Sequence, residues 1–208
     1  MPTPQQHGSH EADGEHRQGH QMGGSVLRHA YYDAPVEKQR LLVVVRHAKA
    51  EQFAASDVER VLSPRGRDDG RALGRWLADE GITPDVAYVS YAARTRETWD
   101  VVAAGAGWGL APQIDGNLYG TDEEGVLELV RSTPEHASSV VVVGHNPTMA
   151  MLVQLLDDGE GEASGSVELG SFPTSAAAVF EVAGAWDDVA PMGGRLRACH
   201  VGRAADQG

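Results

Sequence analysis

The run Leu41-Leu42-Val43-Val44-Val45, followed at once by Arg46-His47-Ala48, constrains this chain more than any other feature. An unbroken apolar run, without alternation, reads as a strand buried on both faces, the kind found in parallel sheets covered by helices. An Arg-His pair just past the carboxyl end of such a strand serves packing poorly. It serves chemistry well, because ligands of open α/β sheets sit in the crevice beyond the strand ends. The arrangement recurs. Residues 140–143 are all valine and run into Gly144-His145-Asn146-Pro147, while residues 86–89 run into Ser90, with Arg94 one turn later. Separate strands thus deliver a His or an Arg at the same end, which reads as a phosphate site with a histidine nucleophile.

The segments between these strands carry helix signals. Ser63-Pro64 offers an N-cap followed by proline at the first helical position. Leu73, Trp76 and Leu77 then form a stripe at i, i+3, i+4, and Gly81 marks the stop. A second helix is expected over residues 92–104, broken by the glycines at 105–109. A short extended piece follows near 113–114, and a helix over 122–131 has Thr121 as its candidate N-cap. Asn146-Pro147 repeats the cap-then-proline signal and opens a helix reaching Leu156. Residues 157–171, rich in Gly, Ser and acid, read as a surface loop. Strands at 176–182 and 195–201 close the chain near a sheet edge. Strands alternating with helices predict a three-layer α/β/α sandwich with a mainly parallel central sheet.

Composition divides the chain in three. Residues 1–38 are rich in His, Gly and Gln and include no aliphatic run below residue 25, so they read as a disordered extension. Residues 39–201 are long enough for one domain with a core, and 202–208 form a tail. The formal net charge of −13 speaks against nucleic acid as a partner, which needs a basic footprint. It leaves a phosphorylated substrate open, because one or two focused arginines decide that locally. Cys199 is the single cysteine, so neither an intrachain disulfide nor a multi-cysteine zinc site is expected. Five of the nine histidines (His7, His10, His16, His20 and His29) fall at irregular spacing in the extension and read as a polar tail rather than a metal site. No segment is apolar enough for a membrane span or a secretory leader, which makes the cytoplasm the expected location and a membrane partner unexpected.

Four residues carry the expected chemistry. His47 and His145 follow separate strands, so one imidazole could attack phosphorus while the other holds equatorial oxygens. Phosphoryl transfer also needs the charge on those oxygens held, and guanidinium groups do so as planar donors that stay charged. Arg46 and Arg94 fit that need. Arg94 can curl back over the strand end, whereas Arg96 projects about 200° further round the helix, toward solvent. Ser90 is read either as a phosphate ligand or as a cap for the second helix. No P-loop, no H-E-x-x-H and no G-x-S-x-G elbow is present.

In these residues the chain resembles the histidine phosphatase superfamily, the group that includes the phosphoglycerate mutases. The opening R-H-G signature corresponds to Arg46-His47-Ala48. The S-P-x-x-R-x-x-x-T element corresponds to Ser90-Tyr91-Ala92-Ala93-Arg94 with Thr98, and the late G-H element to Gly144-His145. Leu62-Ser63-Pro64-Arg65-Gly66, Gly144-His145-Asn146-Pro147 and Pro173-Thr174 make it most similar to the small SixA-type phosphohistidine phosphatases. Ala48 departs from the signature glycine, which is tolerable where φ stays negative, and Tyr91 departs from the usual proline.

The resemblance implies a phosphoglycerate mutase-like fold and a metal-independent hydrolase with no cofactor. It further implies that His47 becomes a phosphohistidine, within a pocket made by Arg46, Arg94 and His145. Asp122 and Glu123 are candidate proton donors, although acids there also suit the first turn of a helix. SixA-type enzymes lack such a donor, consistent with a weak P–N bond whose imidazole leaves readily once protonated. The expected substrate is phosphohistidine on a protein. The alternatives are a small phosphorylated metabolite (a sugar phosphate or a nucleotide) or a noncatalytic phosphate-binding role.

Overall fold

The computed structural model describes residues 39–167 and 171–205. The readings for residues 1–38 and for the end of the tail therefore lie outside the described residues. Among the described residues one sheet is formed by β1 (Arg40–Arg46), β2 (Val86–Ser90), β3 (Gln113–Asp115), β4 (Ser139–Gly144), β5 (Ala176–Val182) and β6 (Gly194–Val201). Their order is β3-β2-β4-β1-β5-β6. The first four are mutually parallel; β5 runs antiparallel to β1 and β6 antiparallel to β5. The sheet is thus mainly parallel, as the unbroken apolar runs predict, with β6 at its edge.

Four helices cover it: α1 (Pro64–Asp79), α2 (Ala93–Ala106), α3 (Glu123–Arg131) and α4 (Thr148–Leu156). Alternation along β1 assigns the faces. Val43 and Val45 join Leu73 and Leu77 of α1 and Trp99 and Val102 of α2, whereas Leu42 and Val44 join Val126 and Leu127 of α3 and Leu152 and Val153 of α4. Each of these side chains is buried, and full burial of one Val or Leu contributes about 1.5–3 kcal/mol. The β1 strand must be apolar on both faces because it has a helical layer on each.

The helix signals fare unevenly. Ser63 caps α1 by accepting a bond from the Gly66 N–H, with Pro64 at its first position. The break after α2 falls at Gly107, whose φ of 74° suits a residue without Cβ. Gly105 instead lies inside α2, where a Cβ would run into the Arg71 carbonyl of α1. Three expected caps are corrected. Asp122, not Thr121, caps α3 through the Gly125 N–H. Asn146 does not cap α4, because its side-chain amide donates to the Phe172 carbonyl at 2.9 Å. Ser90 does not cap α2, which starts after Ala92 without a side-chain cap. No described helix is long and apolar enough to cross a membrane.

Candidate active site

The parallel pairing of β1 with β4 builds the centre of the site. Arg46 is in register with Gly144, and the His47 N–H donates to the Gly144 carbonyl at 3.0 Å. His47 and His145 therefore emerge side by side, their ring centroids 5.2 Å apart. The strand β2, on the far side of β4, adds Ser90, whose Oγ lies 2.9 Å from His145 Nε2. Arg94 comes from the first turn of α2 and is buried, while Arg96 is exposed, as the helical offset predicts. The geometry thus gathers Arg46, His47, Ser90, Arg94 and His145 at the carboxyl ends of β1, β2 and β4.

The orientation of His47 is fixed locally. Its Nδ1 lies 2.8 Å from the Ala48 carbonyl, an acceptor, so Nδ1 carries the hydrogen and Nε2 keeps its lone pair. The Ala48 N–H donates to Thr98 Oγ1 at 2.9 Å, and the Thr98 hydroxyl donates to the Arg94 carbonyl at 2.6 Å. Thr98, one turn beyond Arg94 on α2, ties the loop after His47 to the helix that carries Arg94. Ala48 is fully buried, and its φ is not among the positive values, so its methyl group is accommodated. Behind His47, the Ser175 N–H donates to the His47 carbonyl at 3.2 Å from a residue held at φ 60°. A left-handed conformation at a buried serine beside the site is the kind of local strain that surrounding structure must hold in place.

Both imidazoles are held neutral at pH 7. Burial lowers the pKa of His47 to about 4; the bond to Ala48 opposes this, and the charges of Arg94 and Arg46 add to it. Burial likewise takes His145 to about 3, with Arg94 the next contributor. A neutral imidazole with a free Nε2 can act as a nucleophile toward phosphorus. Arg46 Nη1 donates to the Phe172 carbonyl at 2.7 Å. Arg46 Nε, Arg94 Nε and His145 Nδ1 are buried without a hydrogen-bond partner. Unpaired buried polar atoms cost roughly 1–3 kcal/mol each, and an anion at the strand ends would give these three a partner.

Two residues that the sequence reading left out stand at this site. Asp57, in a 3₁₀ turn (Asp57–Glu59) between β1 and α1, receives Arg94 twice: Nη1 donates to its main-chain carbonyl at 2.7 Å, and Nη2 meets Oδ2 at 3.0 Å. The Tyr119 hydroxyl donates to the same Oδ2 at 2.6 Å. Its ring stands edge-on to His145 at 5.3 Å and lies 5.7 Å from the Arg94 guanidinium carbon. The Tyr119 bond, together with Arg60 and Arg94, holds the Asp57 carboxyl well below the usual carboxylate range. Of the candidate acids, Asp122 spends its carboxylate on capping α3, and Glu123 is the first residue of that helix. No three His, Cys, Asp or Glu side chains among the described residues cluster as metal ligands would.

The profile of the histidine phosphatase superfamily (branch 1) matches residues 42–122, which take in Arg46, His47, Ser90 and Arg94. An uncharacterized protein of Mycobacterium tuberculosis is 34% identical over 162 residues, covering 76% of this chain and all of that protein. The phosphohistidine phosphatase SixA of Escherichia coli is 29% identical over 119 residues, covering 56% of this chain and 74% of the enzyme. A solved structure from Nakamurella multipartitia, assigned as a phosphohistidine phosphatase SixA, superposes with a TM-score of 0.69 at 34% identity, covering 80% of this chain and 98% of that one.

Proposed function

The chain belongs to the histidine phosphatase superfamily, and from that premise we propose that it hydrolyses phosphohistidine on a protein, without a metal ion, through a covalent intermediate on His47. His47 Nε2 attacks the phosphorus, the leaving group departs on the opposite side, and water then attacks the phosphohistidine formed. Dividing the hydrolysis into two displacements lets a neutral imidazole do the first and water the second. Arg46, Arg94 and His145 hold the phosphoryl oxygens, and Ser90 orients His145. His145 is neutral in the free protein; the arrival of a dianionic phosphoryl group raises its pKa and makes it a donor at both ring nitrogens.

The observation that carries the substrate assignment is the state of Asp57. Its carboxylate meets Arg94 and accepts from Arg60 on one oxygen and from the Tyr119 hydroxyl on the other, an arrangement that suits an acceptor and not a donor of a proton to an alkoxide. Of the two candidate acids, Asp122 is engaged in capping α3 and Glu123 is the first residue of that helix. An imidazole leaving group brings its own proton and needs neither. Similarity to the SixA phosphohistidine phosphatases supports the same reading.

The test is phosphate release from a phosphohistidine-bearing protein and from p-nitrophenyl phosphate, side by side, in EDTA, with wild type and His47→Ala. Rapid loss of phosphohistidine that depends on His47 supports the proposal. Turnover confined to phosphate esters moves the assignment to a metabolite phosphatase, and absence of His47-dependent turnover on either substrate overturns it.

A further inference from the structure

We propose that Asp57 binds the leaving imidazole of the substrate and thereby sets a preference for P–N over P–O bonds; this rests on the phosphohistidine reading above. The position of the residue leads there. An in-line displacement puts the leaving group opposite the nucleophile. His47 is fixed at the end of β1, so the departing group lies on the outward side of the phosphorus. Asp57 contacts Arg94 through main chain and carboxylate while its side chain is 52% exposed, which puts it at the outer rim of the pocket that Arg94 lines. The Tyr119 hydroxyl fixes Oδ2, and among the described residues Oδ1 accepts from Arg60 Nη1 at 2.9 Å. Tyr119 and the half-exposed Tyr91, their ring centroids 5.3 Å apart, add flat apolar surface beside it, suited to a flat ring.

A carboxylate next to a phosphate pocket repels the phosphoryl charge, so by itself it weakens substrate binding. The balance reverses when part of the substrate is a cation. Phosphohistidine supplies one, because the ring nitrogen that does not carry phosphorus can be protonated. A nearby ionised carboxylate favours that protonated form.

In the displacement, the His47 Nε2 lone pair forms the new N–P bond while the old P–N bond breaks. The bonding pair stays on the leaving nitrogen and the proton stays on the other ring nitrogen. The product departs as neutral imidazole, and no further proton donor is required. An ester has no such option. Its oxygen takes the electron pair as an anion, which an ionised Asp57 can neither protonate nor accommodate. The Tyr119 hydroxyl, Arg60 and Arg94 all favour the ionised carboxylate, as this role demands.

A competing account gives Asp57 only the task of orienting Arg94, and that account predicts equal losses on every phosphorylated substrate. The experiment compares kcat/KM for phosphohistidine and for p-nitrophenyl phosphate in wild type, Asp57→Asn, Asp57→Glu and Tyr119→Phe, with a melting curve for each. The proposal expects Asp57→Asn to lower the ratio of phosphohistidine to aryl phosphate activity by at least about tenfold. Asp57→Glu, which keeps the charge, recovers part of the ratio. Tyr119→Phe, which loosens the carboxylate, lowers the ratio less and carries the test if Asp57→Asn does not fold. A ratio that stays within about twofold of wild type while both activities fall overturns the proposal and leaves Asp57 as a positioning residue for Arg94. Wild type that turns over aryl phosphate but not phosphohistidine overturns the phosphohistidine reading itself, a result visible before any variant is made.

Discussion

The imidazole rings of His47 and His145 stand 5.2 Å apart and are tilted by 56°. They reach this spacing because β1 and β4 are parallel neighbours whose paired ends, Arg46 and Gly144, immediately precede them. Each ring is neutral for the same main reason, burial, and the charge of Arg94 lowers both further. In our account a phosphoryl group shared by the two relieves that constraint and leaves one ring free to attack.

The lowered histidine pKa values have a consequence for stability. From an ordinary value of 6.5, His47 falls to about 4 and His145 to about 3 in the folded chain. Below pH 6.5 the unfolded chain therefore takes up protons that the folded chain does not, and stability declines as pH falls through the window down to about 3. The thermal midpoint is expected to drop between pH 6.5 and 4.5, and to drop less steeply in His145→Gln. Equal slopes in wild type and variant would contradict the lowered pKa.

Arg94 and Arg96 lie on one helix, α2, yet should differ sharply. Arg94→Lys removes the planar fork that meets both Asp57 and, in our account, the phosphoryl oxygens, and should lower kcat/KM by about 100-fold. Arg96→Ala changes an exposed side chain and should leave kcat/KM within about twofold. Steady-state kinetics on either substrate checks both.

The layer formed by α1 and α2 depends on close backbone approach. A Cβ at Gly74 of α1 would run into the Val102 carbonyl of α2. Gly74→Ala should therefore cost about 1–3 kcal/mol, although alanine favours an isolated helix. Chemical denaturation measures it, and a stabilised variant would contradict the packing.

Asp122 should act on stability rather than on chemistry. Loss of its bond to the Gly125 N–H in Asp122→Ala should cost about 1 kcal/mol, read from a denaturant midpoint. A fall of more than about tenfold in ester turnover would instead assign it a proton-donor role.

How much of this was legible depends on where each residue sits. His47, Arg94 and His145 follow apolar strands, and the strand ends of a parallel sheet converge whatever the loops do. Ser63 was legible as a cap because Ser-Pro is a local signal, answered by the Gly66 N–H three residues on. Asn146 gave the same signal, but tertiary structure spends its side chain on Phe172, 26 residues away. Ser90 was diverted in the same way, to His145 on the neighbouring strand. Asp57 and Tyr119 gave no sign, because both lie in short 3₁₀ turns without periodicity and meet across 62 residues. A carboxylate that meets an arginine 37 residues away leaves no spacing to read. Gly105 was taken as a helix breaker because its fit against Arg71 exists only once α1 and α2 pack.

The most direct test of the account is to trap the intermediate. Wild type, His47→Ala and His145→Ala are mixed with excess phosphohistidine-bearing protein carrying a phosphorus radiolabel, in EDTA, and quenched in alkali within milliseconds. We expect acid-labile, alkali-stable label on wild type, mapped to His47, with none on His47→Ala and slower labelling of His145→Ala. Phosphate release by His47→Ala at the wild-type rate, or label on any residue other than His47, would contradict the account.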